Sequence, residues 1–492
     1  MQALWTATEI AALDGARLVG APGPVTGASI DTRTLAPGDL FFAIRGVAID
    51  GHDFVRDALR RGAAAAVVAE GHAERLAEAG PLVAVPDPQG AMEALGRVAR
   101  ARSRARIVAV TGSVGKTGTK EAMRLAFERL GATHASAASY NNHWGVPLTL
   151  ARMPADAEFG IFEIGMNHPG EIVPLTGMVR PHIAVVTTVE PVHIAHFRSV
   201  AAIADAKGEI FGGLEPGGVA IVTRDSPHCD RLVAHAQASE AGRVVTFGEH
   251  HAADVRAVRI AAGPDASMVE ADVLGRRVTY RIGMAGRHVA LNSLAVLGCA
   301  AVLGLDIGEA AAACAGLTPP AGRGARARLR APSGEFLLID ESFNANPASM
   351  RAALNTLALV ELPAGGRRIA ILADMAELGG TGPAAHGGLA ESVAASGADL
   401  VFAAGPLMRG LWDALPPTQR GTYAAHASEL EAAVLDTIRA GDVVMVKGSK
   451  STLVSKVAAA IRSRFGEAPA AGVAVAAGDA PAASGGAASA RS

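Results

Sequence analysis

The chain has 492 residues, half of them hydrophobic, with 45 Lys and Arg against 47 Asp and Glu, for a formal net charge of −2. Such a balance offers no basic field to a nucleic-acid backbone. Three cysteines without a C-x-x-C pair exclude a disulfide framework and predict buried thiols in a reducing compartment.

The length predicts about three domains, and the elements fall into that number. The opening MQALWTATEIAALDGARL lacks the basic and apolar regions of a secretory signal. Residues 1–100 carry short alternations (DLFFAIRG, AAAAVVAE) that read as a small α/β domain. Residues 101–320 open with a basic linker, a buried strand, a Gly-rich loop and a helix, and continue with the strand candidates FGIFEIG, HIAVVTTV, GVAIVT and RVVTFG. That order predicts a P-loop ATPase-like, mostly parallel sheet. The uncharged run Val289–Leu305 contains Asn292 and Ser293 and falls short of a membrane span, so a buried helix and a soluble, cytoplasmic protein are expected. The βα alternation restarts over residues 321–465 with FLLID, RRIAILAD, ADLVFAAG and DVVMVKG, a Rossmann-like third domain. Residues 466–492 are rich in Ala, Gly, Pro and Ser and predict a disordered tail. The expected class is therefore α/β in three domains.

The chemistry concentrates after the first strand of the second domain. In TGSVGKTGTK, Gly112 and Gly115 let the backbone approach phosphates, with Ser113, Val114 and Gly118 completing the cradle. The next helix offers N-terminal N–H groups, Lys116 neutralises charge, and the Thr117 hydroxyl is placed for Mg²⁺. The loop is shorter than the common P-loop, because Val110 stands where the first glycine belongs. Glu163 ends the strand FGIFEIG at the sheet edge where ligands bind, and a polar loop with Asn167, His168 and Glu171 follows. His193 follows another strand end and is either a metal ligand or a structural hydrogen-bonder. Lys207, on the helix after it, reads by default as a solvated surface charge.

Together TGSVGKTGTK, NNHWGVP, FEIGMNHPGEI, H-x₅-S…AK-x-EI and DESFNANP resemble the Mur ligases, ATP-dependent enzymes of peptidoglycan assembly. The resemblance runs over roughly residues 20–460 and includes the shortened phosphate loop. It implies that Lys207 is carbamylated, turning an ammonium that would repel Mg²⁺ into an anionic ligand, and that Thr117, Glu163 and His193 are Mg²⁺ ligands. It further implies catalytic roles for Lys116, Lys207, His193 and Glu163. Asn292, Arg323 and Asp340 would contact ATP, Asp31 and Arg33 the uridine nucleotide, and Asn141, Asn142 and His168 the peptide. Asn344, Asn346, Lys447 and Ser449 fall on the substrate side of the third domain. Departures from the pattern are Glu341, Phe343, Val289, Thr188 and Ala373.

DESFNANPASM, ADMAELG with His386 downstream, and VMVKGSKST resemble the member that closes the series. The resemblance thus implies ligation of D-alanyl-D-alanine to the carboxylate of UDP-N-acetylmuramoyl-tripeptide through an acyl phosphate, by a monomer. One alternative is the preceding ligase, whose diaminopimelate-adding members carry a DNPR segment absent here. The other is an ATPase switch that ligates nothing, for which the Glu163, His193, Lys207 set and a complete third domain are more machinery than needed.

Overall fold

The computed structural model describes residues 3–137 and 139–468. Three sheets follow one another along the chain, in the three-domain α/β order expected. The first sheet has five strands. Gly27–Ser29, Asp39–Phe42, Ala65–Ala69 and Leu82–Val85 run parallel, and Arg17–Val19 closes one edge antiparallel to Leu82–Val85.

The second sheet has nine strands. Its parallel part runs from the edge strand Thr133–Ala135 through Phe159–Glu163, Arg106–Thr111, Ile183–Val186 and Gly218–Thr223 to Ala241–Gly248. Both faces are covered, so the strands are apolar on both sides. Val108 and Val110 pack into one core while Ile107 and Ala109 pack into the other. The expected buried helix is Arg287–Val302, whose residues Ser293–Ala300 are all buried. A meander of Val255–Ala262, Ser267–Val273 and Arg276–Ile282 extends the sheet. It was not anticipated, although its last two strands alternate and Leu274-Gly275 between them reads as a turn.

The third sheet has six strands in the order Ala325–Ala331, Gly334–Glu341, Val443–Lys447, Arg368–Ala373, Leu400–Ala404 and Arg420–Ala424. Only the first is antiparallel. Gly466 to Ala468, grouped with the tail by composition, lie along that edge strand. The Gly466 carbonyl accepts from Arg330 N–H at 3.3 Å, and Ala468 N–H donates to the Arg328 carbonyl at 2.9 Å. The rest of the expected tail, from 469, lies outside the described residues.

The first domain rests on the second through the segment 141–152. Trp144 Nε1 donates to Gln89 Oε1 at 3.0 Å, Trp5 Nε1 donates to the Ala151 carbonyl at 2.8 Å, and Arg152 Nε donates to the Ala28 carbonyl at 2.6 Å.

Candidate active site

The strand Arg106–Thr111 lies between Phe159–Glu163 and Ile183–Val186, and the register sets Val110 beside Glu163 and Thr111 beside Val186. The phosphate loop, the Glu163 carboxylate and the segment after Val186 therefore emerge together at one carboxyl edge. The helix Lys116–Glu128 starts without a side-chain cap, on Gly115 at φ +88°. Its first hydrogen bond is from Thr119 N–H to the Gly115 carbonyl at 2.9 Å. The N–H groups of Lys116, Thr117 and Gly118 are thus left for an anion at the helix start. Gly115 has to be glycine on two counts, because a Cβ there would also lie 2.2 Å from Asn292 Nδ2.

Part of the cradle is fastened to the neighbouring strand end. Ser113 N–H donates to the Thr188 carbonyl at 2.9 Å, and Val114 N–H donates to Thr188 Oγ1 at 3.2 Å. Those two residues fasten the loop to its neighbour, and their amides are not free for phosphate. Ser113 Oγ also donates to the Glu190 carbonyl at 3.0 Å. Lys116 Nζ folds back on the Gly112 carbonyl at 2.7 Å.

Around the loop the charges are predominantly positive, with Lys207 buried and Lys116 and Arg323 half-buried. Lys116, Lys207 and Arg323 are each held below their ordinary pKa by burial; Arg323 lowers Lys116 further and Lys116 lowers Lys207, while Glu163 pulls Lys116 and Arg323 the other way and Glu341 does the same at Arg323. Lys207 is 3% exposed, on the inward face of the helix Val200–Gly208, and its pKa is pushed well below that of a solvated lysine. The default reading of a surface charge is therefore wrong. The opposing carboxylate is Glu163, 1% exposed, which counters both Lys116 and Arg323. Its Oε1 accepts from Asn141 Nδ2 at 2.7 Å, while its buried Oε2 has no hydrogen-bond partner among the described residues.

A buried lysine with two half-buried cations beside it, opposed by Glu163 and, at Arg323, by Glu341, is costly without an anion to compensate the charge. An orphaned carboxylate oxygen at the same sheet edge as the buried Thr117 suits a hard divalent cation. The residues fit a nucleotide polyphosphate with Mg²⁺. Thr117 Oγ1 pairs with Ser139 Oγ at 3.2 Å, and Ser139 Oγ also accepts from Arg323 Nη2 at 3.2 Å. Ser139, which the sequence gave no reason to notice, links the loop to the start of the third domain. Arg323 also stacks 3.9 Å over the Phe343 ring.

His193 reaches the same cluster. Its ring lies within electrostatic range of Lys116 and Lys207, and its Nδ1 is bonded to Glu377 of the third domain. Burial, reinforced by the two lysines, holds its pKa below the usual imidazole value against the opposite pull of Glu377.

A cavity of about 330 Å³ opens at the hinge between the second and third domains, lined by His288, Thr318, Arg323, Arg326, Glu341 and Thr356 among others. A second, also about 330 Å³, sits at the strand ends of the third domain between Asp374, Pro406, His426, Ser451 and Lys456.

Several residues expected to touch ligands have local hydrogen-bonding duties. Asn142 Oδ1 accepts from Trp144 N–H at 3.2 Å and Gly145 N–H at 3.0 Å. Asn346 caps the helix Pro347–Ala358, Ser449 Oγ accepts from Ala376 N–H at 2.7 Å, and Lys447 Nζ donates to the Asn344 carbonyl at 3.1 Å. Asp340 Oδ1 accepts from Ser342 Oγ at 2.6 Å. His168 is exposed and pairs with Glu171 at 2.8 Å, and Arg33 is 85% exposed in a salt bridge with Asp31 at 2.6 Å. These lie apart from the phosphate cluster or brace its surroundings.

Asp50, His52 and His72 converge in the first domain as metal ligands would. His52 has neither nitrogen to spare: Nδ1 pairs with Asp50 at 2.6 Å and Nε2 accepts from Ala69 N–H at 3.0 Å. That cluster is a structural clasp. Among the described residues no helix is long and apolar enough to cross a membrane.

Comparison with known proteins agrees with this geometry. Three family descriptions match in order: "Mur ligase family, catalytic domain" over residues 24–103, "Mur ligase middle domain" over 110–300, and "Mur ligase, glutamate ligase domain" over 326–450. The UDP-N-acetylmuramoyl-tripeptide–D-alanyl-D-alanine ligase of Escherichia coli K12 is 32% identical over 460 residues, spanning 93% of this chain and 98% of the relative. The enzyme of the same name from Synechocystis is 35% identical, over 86% of this chain and 88% of the relative. A crystal structure of MurF from Acinetobacter baumannii superposes with a TM-score of 0.79 at 25% identity, covering 93% of this chain and 99% of that one. With all three modules matched in order and relatives covered almost end to end, the chain belongs to the Mur ligase family.

Proposed function

We propose that this protein joins D-alanyl-D-alanine to the terminal carboxylate of UDP-N-acetylmuramoyl-tripeptide, giving UDP-N-acetylmuramoyl-pentapeptide for peptidoglycan synthesis. It is an ATP-dependent amide-forming ligase. The observation that carries the reading is the cluster of Lys116, Lys207, Arg323 and Glu163, with Lys207 and Glu163 buried, at the junction of the second and third domains.

A carboxylate does not react with an amine at neutral pH, because oxide would have to leave. ATP with Mg²⁺ supplies the phosphoryl group that makes the carboxylate oxygen a leaving group, as an acyl phosphate. The N–H groups at the start of the helix Lys116–Glu128 and the Lys116 ammonium bind and orient phosphate oxygens. For that, Lys116 Nζ has to leave the Gly112 carbonyl it now meets. Arg323 brings a further positive charge across the hinge.

Thr117, Glu163 and His193 would hold Mg²⁺, with Lys207 as a fourth ligand in carbamylated form. Two observations support the carbamate. Burial pushes the Lys207 pKa well below its ordinary value, which favours the free amine that reacts with CO₂, and an uncompensated ammonium beside Lys116 would repel a metal. The hinge cavity suits the nucleoside of ATP, and the cavity at the third domain's strand ends suits the dipeptide. The first domain, residues 1–100, would hold the uridine nucleotide, residues 101–320 ATP and metal, and residues 321–465 the acceptor. Closure of the third domain would exclude water from the acyl phosphate. ATP and nucleotide-linked peptides as substrates support a cytoplasmic reaction.

The test uses tripeptide substrate labelled with ¹⁸O in its terminal carboxylate. One labelled oxygen should appear in the released phosphate, and the pentapeptide should appear by mass. Pentapeptide formed with unlabelled phosphate would rule out the acyl phosphate, and absence of pentapeptide would rule out the ligase.

A further inference from the structure

Glu377 lies on the third domain, yet its side chain accepts the Nδ1 proton of His193 on the second. Three further observations make this contact a docking point. Ala195 N–H donates to the Glu377 carbonyl at 3.2 Å. Gly379 packs so near that a Cβ there would lie 3.4 Å from Ala195. Ile194 belongs at once to the apolar core of the second domain and to that of the third. Both partners of the side-chain bond hold left-handed backbone, His193 at φ +57° and Glu377 at φ +63°, which residues other than glycine seldom adopt. Such outliers persist where the surroundings over-determine them.

The tautomer follows from the contact. A carboxylate acceptor fixes the proton on Nδ1 and leaves Nε2 as the ring nitrogen whose lone pair is open to a cation. We propose that Glu377 is a positioning residue that completes the divalent-cation site from across the domain boundary, so that His193 is oriented as a ligand only when the third domain is docked. The inference rests on the reading of His193 as a metal ligand. It makes cation binding and domain closure two sides of one equilibrium, and each favours the other. A metal held tightly only in the closed form would restrict phosphoryl transfer to the state in which water is excluded.

The test reads metal binding directly, by electron paramagnetic resonance titration of Mn²⁺ into the full-length protein with ADP present. Glu377 is 46% exposed, so its truncation opens no core. Glu377→Ala is expected to raise the Mn²⁺ dissociation constant about 10- to 100-fold with the melting temperature unchanged. Glu377→Gln, which keeps an oxygen acceptor for Nδ1, is expected to stay within about threefold of the parent. His193→Ala should lose at least as much as Glu377→Ala. Parent-like affinity in Glu377→Ala alongside a loss in His193→Ala would overturn the role of Glu377 alone. Equal losses in the Ala and Gln variants of Glu377 would overturn positioning through the hydrogen bond. Parent-like affinity in both Glu377→Ala and His193→Ala would remove His193 from the metal site altogether.

Discussion

Gly112→Ala is the sharpest perturbation of the phosphate loop. Gly112 sits at φ +149°, and a Cβ there would fall 1.9 Å from Thr187 Oγ1 and 3.1 Å from Thr188 N. Thr187 cannot yield freely. It is fully buried, and its hydroxyl donates to the Val114 carbonyl at 2.6 Å. Rotating it away gives up that short hydrogen bond and leaves the carbonyl only a 3.5 Å contact from Thr188 Oγ1, at about 1 kcal/mol. A non-glycine residue in this backbone region adds about 1–3 kcal/mol. Relief through movement of the loop draws the same energy from nucleotide binding, and the lower bound of about 2 kcal/mol is roughly a 30-fold weakening. The assay is displacement of a fluorescent ADP analogue, with the melting temperature measured alongside. Gly118→Ala is the control, since nothing lies within 4 Å of the added methyl. It should leave affinity unchanged and stabilise the helix by about 0.5–1 kcal/mol. Adding Thr187→Ala to Gly112→Ala should recover part of the loss. ADP affinity within about threefold of the parent in Gly112→Ala, a shift worth less than 1 kcal/mol, or equal damage from Gly118→Ala, would refute the reasoning.

Lys207→Ala should lower the ligation rate by about 10²–10³-fold or more, with no rescue by bicarbonate because the amine is gone. A near-parental rate would remove Lys207 from the site. Ser139→Ala breaks the link between Thr117 and Arg323 and should raise the KM for ATP about fivefold, the equivalent of one hydrogen bond, with little change in melting temperature. Deleting residues 469–492 should leave activity and melting temperature intact. Deletion from 466 should lower the melting temperature, since it strips the backbone bonds to Arg328 and Arg330.

His134 supplies a pH dependence. Burial holds its pKa down to about 4, against an ordinary value near 6.5, with Thr149's carbonyl pulling the other way. The unfolded chain therefore takes up this proton first, and stability falls as pH drops from 6.5 towards 4, by up to about 1.4 kcal/mol per pH unit. His134→Gln should narrow the gap between urea midpoints at pH 7 and pH 5, and an unchanged gap would exclude His134 as its source.

The sequence disclosed what local pattern controls. A buried strand, two glycines and Lys-Thr at a helix start identify the phosphate loop wherever they occur, and Glu163 follows because its strand ends beside that loop in register. Lys207 was legible only through family resemblance, since a lysine among small residues on a short helix carries no sign of facing inward. Ser139 and Glu377 were not legible at all. Each meets its partner across 184 positions of chain, a distance that periodicity and motif spacing do not reach. Asn142, Asn346 and Ser449 have local duties that motif reading did not show. Polar residues inside a recognisable motif suggest ligand contact, yet these three satisfy the turns and helix starts that shape the motif. Ser113 and Val114 likewise anchor the loop to Thr188.

The central claim is that ATP cleavage here is coupled to joining two peptides. The most direct measurement is ADP release with ATP, Mg²⁺ and UDP-N-acetylmuramoyl-tripeptide, with and without D-alanyl-D-alanine. The account predicts release that depends on the dipeptide, with one pentapeptide formed per ADP. Equal release in its absence would contradict it and point to a hydrolase or to a different acceptor.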